Sequence, residues 1–261
     1  MFLKSMDYKM PTNKTCLSIL MYHQIGTFQP MVTHRSTYCH YKRFRNQMLL
    51  LRFLGYKTID MDKAISALKD KDDVTLPART VVLTFDDGYE NFYQYAYPCL
   101  KKHNFSAIVY VLAGYLGRSA EWFAADKRPC PPLMDISRLK ALHKEGIQFG
   151  SHGINHLKLA EIPYEKAREE IIQSKKILEQ QLGFPINHFC YPYGSYNVST
   201  MKAVKEAGYH SAVSCVRGRA CEGDDLYQLP RKAISYGDSL IGFAWKLLCK
   251  NKRKTQELTY N

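Results

Sequence analysis

Asp86 and Asp87 stand side by side after Val81-Val82-Leu83-Thr84-Phe85, and Gly88 follows them. An apolar and β-branched run of this kind reads as a buried strand, so both carboxylates fall where a strand gives way to a turn and can reach one cleft. Adjacent carboxylates repel, and a cation between or beside them relieves the repulsion. A solvated Asp-Asp-Gly turn is the competing structural reading. Downstream, His152 and His156 lie four residues apart in Gly150-Ser151-His152-Gly153-Ile154-Asn155-His156, directly after Ile147-Gln148-Phe149. On one helical turn, two imidazoles at this spacing can share a metal ion, although a solvated pair shows the same pattern. Joined by a carboxylate from another strand end, they make a three-ligand site with an open position, a donor set that suits zinc or another borderline divalent ion. Phe189-Cys190-Tyr191-Pro192-Tyr193-Gly194 reads as a third strand end, closed by a proline turn, with Gly194 allowing close backbone approach to a ligand.

These groups need elements to hold them. A first buried strand is predicted at 17–22, with His23 immediately after it, and a helix at 38–54 carries Phe44, Met48, Leu49 and Leu51 before Gly55 stops it. A short strand at 57–59 leads to a helix at 61–69 capped by Asp60, a polar loop at 70–78, and the strand that ends in Asp86. A helix at 89–103 and a strand at 106–112 follow. Residues 113–133 hold Trp122, Phe123 and Pro129-Cys130-Pro131-Pro132, and are too long for an ordinary connection, which makes them a candidate substrate-covering loop. Asp135 starts a helix that ends near Gly146, and a longer one spans 163–182 with Ala167, Ile171, Ser174, Leu178 and Leu182 on one face and Gly183 closing it. Strands at 147–149, 188–191, 210–215 and about 227–229 and a helix at 198–207 complete the pattern.

Strands alternating with helices define a parallel α/β domain, a barrel or an open sheet, in which all strand ends open on one face. We divide the chain into an N-terminal extension (1–16), one catalytic domain (17–236) and a basic amphipathic helix with its tail (237–261). In the last segment Leu240, Phe243, Ala244, Leu247 and Leu248 share a helical face flanked by Lys246, Lys250, Lys252, Arg253 and Lys254. Such a helix either lies on an anionic membrane through 240–254 or packs on the domain.

The 261 residues carry a formal charge of +13, with 46% hydrophobic and 23% charged residues, the balance of a globular protein that meets something anionic. Nothing approaches the roughly 20 apolar residues of a membrane span, and 1–15 lack an apolar signal core, so a cytoplasmic protein, with any membrane contact at the inner face, is expected. Eight cysteines, at 16, 39, 99, 130, 190, 215, 221 and 249, include no Cys-x-x-Cys pair and are expected to be reduced.

In order along the chain, Thr84-Phe85-Asp86-Asp87-Gly88, His152-Gly153-Ile154-Asn155-His156 and Tyr191-Pro192-Tyr193-Gly194 resemble the metal-dependent polysaccharide deacetylases, the NodB-homology carbohydrate esterases, over roughly 18–235. The resemblance implies a distorted (β/α) barrel that hydrolyses an N-acyl group, usually acetyl, from an amino sugar in a polysaccharide or glycolipid. It implies a divalent metal, zinc first with cobalt or nickel as alternatives, held by Asp87, His152 and His156. Asp86 would be the general base, and the backbone N–H of Tyr193 would help to hold the oxyanion. Pro192 and Tyr193 would line the substrate site, while Trp122 with Phe123 either stacks on a sugar ring or pins its own loop. A glycan partner leaves no role for nucleic acid.

Two departures stand out. The arginine that many members carry two residues before the Pro-Tyr is Cys190, and the C-terminal Leu-His that supplies their general acid is absent, since the last histidine is His210. A subgroup resembling the poly-N-acetylglucosamine deacetylases meets both needs elsewhere. In Met21-Tyr22-His23-Gln24-Ile25, His23 would be the acid, and in Leu229-Pro230-Arg231, Arg231 would orient Asp86. A turn histidine and a surface arginine are the competing readings. His34, His40, His103, His143, His188 and His210 read as structural. Two rival functions are an amidohydrolase acting on a small non-sugar amide and a silent glycan-binding member of the fold.

Overall fold

Strand β1 (Cys16–Tyr22) pairs along its length with β5 (Thr80–Phe85), from Ser18 opposite Val81 to Tyr22 opposite Phe85, and this pairing closes a sheet that would otherwise be open. The structure, a computed structural model, describes residues 14–29, 33–69 and 76–254. The N-terminal part of the extension, most of the polar loop at 70–78 and the end of the tail lie outside the described residues. Between β1 and β5 come β2 (Gln24–Gly26), β3 (Tyr38–His40), α1 (Tyr41–Phe53), β4 (Lys57–Thr58) and α2 (Met61–Lys69). After β5 come α3 (Tyr97–His103), β6 (Ile108–Val111), α4 (Ile136–Lys144), β7 (Gln148–Ser151), α5 (Tyr164–Leu182) and β8 (His188–Cys190). The chain continues through α6 (Val198–Glu206), β9 (Ser211–Arg217), β10 (Ala220–Cys221), β11 (Leu229–Ala233) and α7 (Leu240–Leu248).

The ring runs β1-β11-β9-β8-β7-β6-β5 and back to β1, seven parallel strands with helices around them. Of the two arrangements the sequence allowed, the barrel is the one formed. Strands covered on both faces are buried throughout, as β5 and β6 are at every position. Alternation divides their side chains into two layers. Leu17, Ile19, Val82, Ile108, Tyr110, Val213 and Leu229 point into the lumen, where Met61, Ala64, Ile65 and Leu68 of α2 join them and plug one end. Leu20, Tyr22, Leu83, Phe85 and Val109 point out to the helices. Because α2 fills that end, the functional face is the other, at the C-terminal ends of the strands.

Several boundaries differ from the sequence reading, for local reasons. Residues 38–40 form β3, paired with β2, and the helix starts behind the N-cap His40, whose ring accepts from Lys42 N–H. The helix expected at 89–103 contains a π-helical stretch, Phe92–Ala96, before α3. The last strand starts at Leu229 and runs to Ala233, so Arg231 lies within it, rather than beyond its end. Pro230 and the charged pair Arg231 and Lys232 disguise that strand, since a proline and two cations read as a loop, yet both cations are buried.

Of the two settings that the sequence leaves open for the C-terminal helix, packing on the domain is the one formed on one of its sides. Phe243 and Leu247, on its proposed membrane-facing side, are buried against the barrel. Lys232 Nζ donates to the Leu247 carbonyl and to Asn251 Oδ1, both at 2.9 Å, tying down the helix's C-terminal end. Among the described residues no helix is long and apolar enough to cross a membrane.

Cys16 and Cys221 form a disulfide that joins β1 to β10 across a sequence separation of 205 residues, so the expectation of eight reduced thiols does not hold. The pairing was invisible in a sequence without cysteine periodicity. Thiol titration of denatured, unreduced protein should count six groups, matching the free Cys39, Cys99, Cys130, Cys190, Cys215 and Cys249. Eight without reductant would refute the bond. Cross-linking so long a loop restricts the unfolded chain, and its reduction should lower unfolding stability by about 2–4 kcal/mol in a urea titration.

Candidate active site

Strand alternation places the central side chains. Val82 and Thr84 point into the barrel, and Asp86, next in that series, follows them at the open end. Leu229 and Arg231 do the same from β11. The result is a bidentate ion pair: Arg231 Nη1 donates to Asp86 Oδ1 at 2.7 Å and Nη2 to Oδ2 at 2.8 Å. The other guanidinium donors reach Thr84 Oγ1 at 3.0 Å, the Ser214 carbonyl at 2.9 Å and Cys190 Sγ at 3.2 Å. Burial pushes the Asp86 carboxyl up, but the Arg231 guanidinium, joined by His23 and His152, more than offsets this and holds it below the usual carboxylate range. Cys190, at the position where an arginine was absent, therefore sits against an arginine supplied by another strand.

Asp87 takes a different course. Its φ of 75° lies in the left-handed region, and this turns its carboxylate from the barrel axis toward the loop after β7. There the Nε2 atoms of His152 and His156 lie 3.2 and 3.3 Å from the same Asp87 Oδ1. That oxygen is buried and accepts no hydrogen bond, while its partner Oδ2 accepts from Tyr89 OH at 2.7 Å. His152 Nδ1 lies 2.7 Å from the Cys190 carbonyl, which makes Nδ1 the protonated nitrogen and leaves the Nε2 lone pair for a ligand. His156 Nδ1 is 3.1 Å from Tyr193 OH. His156 and Tyr193 also adopt left-handed φ, of 55° and 57°, a conformation costing about 1–3 kcal/mol for each non-glycine residue. One carboxylate oxygen and two imidazole nitrogens, converging on an unsatisfied buried oxygen, fit a borderline divalent ion. Asp86, His152 and Cys190 also cluster, but both Asp86 oxygens and the thiol are already taken by Arg231.

A cleft of about 440 Å³ opens over these residues. His23 enters it from the end of β1, with Nε2 3.8 Å from Asp86 Oδ2 and Nδ1 buried without a hydrogen-bond partner. Trp122 and Tyr193 flank His156, at ring-centroid distances of 4.5 and 4.4 Å. Both aromatics of the long loop line the cleft: Phe123 is largely buried beneath the Arg128 guanidinium, which lies 3.8 Å from its ring centroid, and Trp122 stands beside His156. Pro192 does not line the cleft as expected; it is buried and shapes the turn that presents Tyr193. Gly194 completes that turn at φ 66°, where a Cβ would lie 2.6 Å from Cys215 Cβ.

His34, Asp126 and Arg128 also line the cleft, and sequence reasoning missed them. His34 reads as structural in the sequence, and the loop offers only its length as a signal. His188 and His210 instead meet Asp62 of α2, at 3.1 and 3.7 Å, near the plugged end, which removes both as acids for this site.

A parallel barrel with an open cleft, a candidate metal triad and an arginine-held carboxylate has the parts of a hydrolase acting on amide bonds. The polysaccharide deacetylase family matches residues 73–212, and the chain belongs to that family. It is 30% identical to YxkH of Bacillus subtilis (strain 168), a protein assigned to the polysaccharide deacetylases, over 87% of this chain and 74% of the relative. Similarity to the Staphylococcus aureus (strain N315) poly-β-1,6-N-acetyl-D-glucosamine N-deacetylase is 26% over 61% of this chain, and spans 56% of that enzyme. The fold matches the Streptococcus pyogenes deacetylase PplD in complex with acetate, with a TM-score of 0.77 and 26% identity over 90% of this chain and 99% of PplD. It also matches IcaB from Ammonifex degensii, with a TM-score of 0.75 and 22% identity over 89% and 97% of the two chains.

Proposed function

We propose that this polysaccharide deacetylase removes N-acetyl groups from N-acetylated amino sugars in a polysaccharide or glycolipid, with a zinc-type ion held by Asp87, His152 and His156. The observation carrying this reading is the division of labour between adjacent carboxylates: Asp87 faces two imidazoles, while Asp86 is held off them by Arg231. A divalent ion held by Asp87, His152 and His156 would supply Lewis-acid polarisation of the acyl carbonyl and make water more acidic there. Asp86, kept ionised by Arg231, accepts the proton of the attacking water as general base. The backbone N–H of Tyr193 donates to the carbonyl oxygen as negative charge builds there. His23 delivers a proton to the departing nitrogen, because an amide does not expel an unprotonated amine anion. Trp122 presents a flat apolar wall for the C–H face of a pyranose, and its Nε1, buried without a partner, is a donor for a sugar oxygen.

The similarity to a poly-β-1,6-N-acetyl-D-glucosamine N-deacetylase makes that polymer the first substrate to try. Incubating zinc-loaded protein with its oligomers should yield products lighter by acetyl units in mass spectrometry, and chelation should abolish them. Cleavage of small linear amides without any acetyl loss from glycans would favour the rival amidohydrolase.

A further inference from the structure

Eight large apolar side chains are exposed among the described residues, and six of them lie on just two helices, Leu49 and Phe53 of α1 and Leu240, Ile241, Trp245 and Leu248 of α7. Phe53 is 86% and Ile241 83% accessible. On α7 the buried Phe243 and Leu247 take the inner side, which leaves Ile241, Trp245 and Leu248, at i, i+4 and i+7, on the outer one. Leu49 and Phe53 follow the same spacing on α1 and share a groove with Leu240, so the two apolar faces are continuous. Scattered exposed apolar residues are ordinary, whereas a contiguous set on neighbouring helices marks a surface that meets something.

The charges say what that something is. Neither α1 nor α7 contains an acidic residue. Lys42, Arg45 and Arg52 are exposed beside Leu49 and Phe53, and Lys252 and Lys254 are exposed just past α7. We infer that the outer face of α1 and α7 is an interfacial docking surface for an anionic lipid bilayer. Ile241, Trp245, Leu248 and Phe53 enter the headgroup boundary, and the surrounding lysines and arginines meet the lipid charges. A bilayer surface asks for this combination: aliphatic side chains to bury, an indole at the boundary, and cations on helices that carry no carboxylate, the nearby Asp238 being already paired with Lys246. The inserting side is turned away from the centre of the face that the helix pattern suggested: Leu240 and Leu248 of that face stay exposed, while the barrel has claimed Phe243 and Leu247.

Sedimentation with phosphatidylcholine vesicles, with and without phosphatidylglycerol, tests this without reference to catalysis. The intact protein should bind only the anionic vesicles, and should release them as salt rises. In Trp122→Phe the remaining tryptophan is Trp245, and its emission should move to shorter wavelength when those vesicles are added. The double variant Ile241→Glu with Trp245→Glu should lose about ten-fold or more in vesicle affinity, while keeping its circular dichroism spectrum and its rate on a soluble substrate. Failure of the intact protein to bind, equal binding by a folded double variant, or an unshifted Trp245 would each overturn the inference. So would self-association that the double variant abolishes while vesicle binding persists, since the patch would then join two copies of the chain.

Discussion

Asp87→Ala, His152→Ala and His156→Ala are each expected to lose bound divalent metal and deacetylase activity together. Asp86→Asn should keep the metal and lower kcat by about 10²–10⁴-fold, the usual contribution of a positioned base. The expectation comes from geometry: both histidines present Nε2 to Asp87 Oδ1, whereas both Asp86 oxygens are bound to Arg231. Asp86→Asn also leaves Arg231 buried without its counter-charge, which costs several kcal/mol, so metal content and rate should be measured well below the variant's melting temperature. Elemental analysis of the purified variants decides the outcome. Metal loss in a folded Asp86→Asn protein would mean that the two carboxylates have each other's roles.

His23→Ala should lower kcat on an N-acetyl sugar by about 10²–10⁴-fold with metal content unchanged. His23 lines the cleft beside Asp86, with its Nε2 3.8 Å from Asp86 Oδ2, so an acid from β1 and a base from β5 face one bound substrate. A merely structural histidine would depress all substrates alike. An acid would not, because an activated acetate ester leaves without needing a proton. The variant should therefore recover most of its rate on such an ester. An unchanged amide rate would remove His23 from the mechanism, and the neighbourhood of Asp62 would not supply a replacement, since His188 and His210 lie near the plugged end of the barrel.

Much of the site was legible before folding because its motifs are local. Asp86 and Asp87 follow an unmistakable buried strand, and His152 and His156 lie in one short loop, so residue type and proximity in sequence picked the candidate ligands. That loop is irregular, with a left-handed His156, rather than the helical turn the spacing suggests. Strand–helix alternation likewise pointed to parallel α/β architecture. What periodicity and spacing did not reach was everything decided by which strand becomes whose neighbour. The resemblance implies that Arg231 orients Asp86, and the barrel supplies the means, bringing β11 and β5 to one lumen across 145 residues. Cys16 meets Cys221 across 205 because β10 pairs with the start of β1. Periodicity finds an amphipathic face but does not say what covers it, so Phe243 and Leu247 went into the barrel while Ile241 and Trp245 stayed outside. Side-chain direction near a strand end depends on single backbone angles. The left-handed turn at Asp87 sends two adjacent, chemically identical carboxylates to different partners, one to an arginine and the other to a pair of imidazoles.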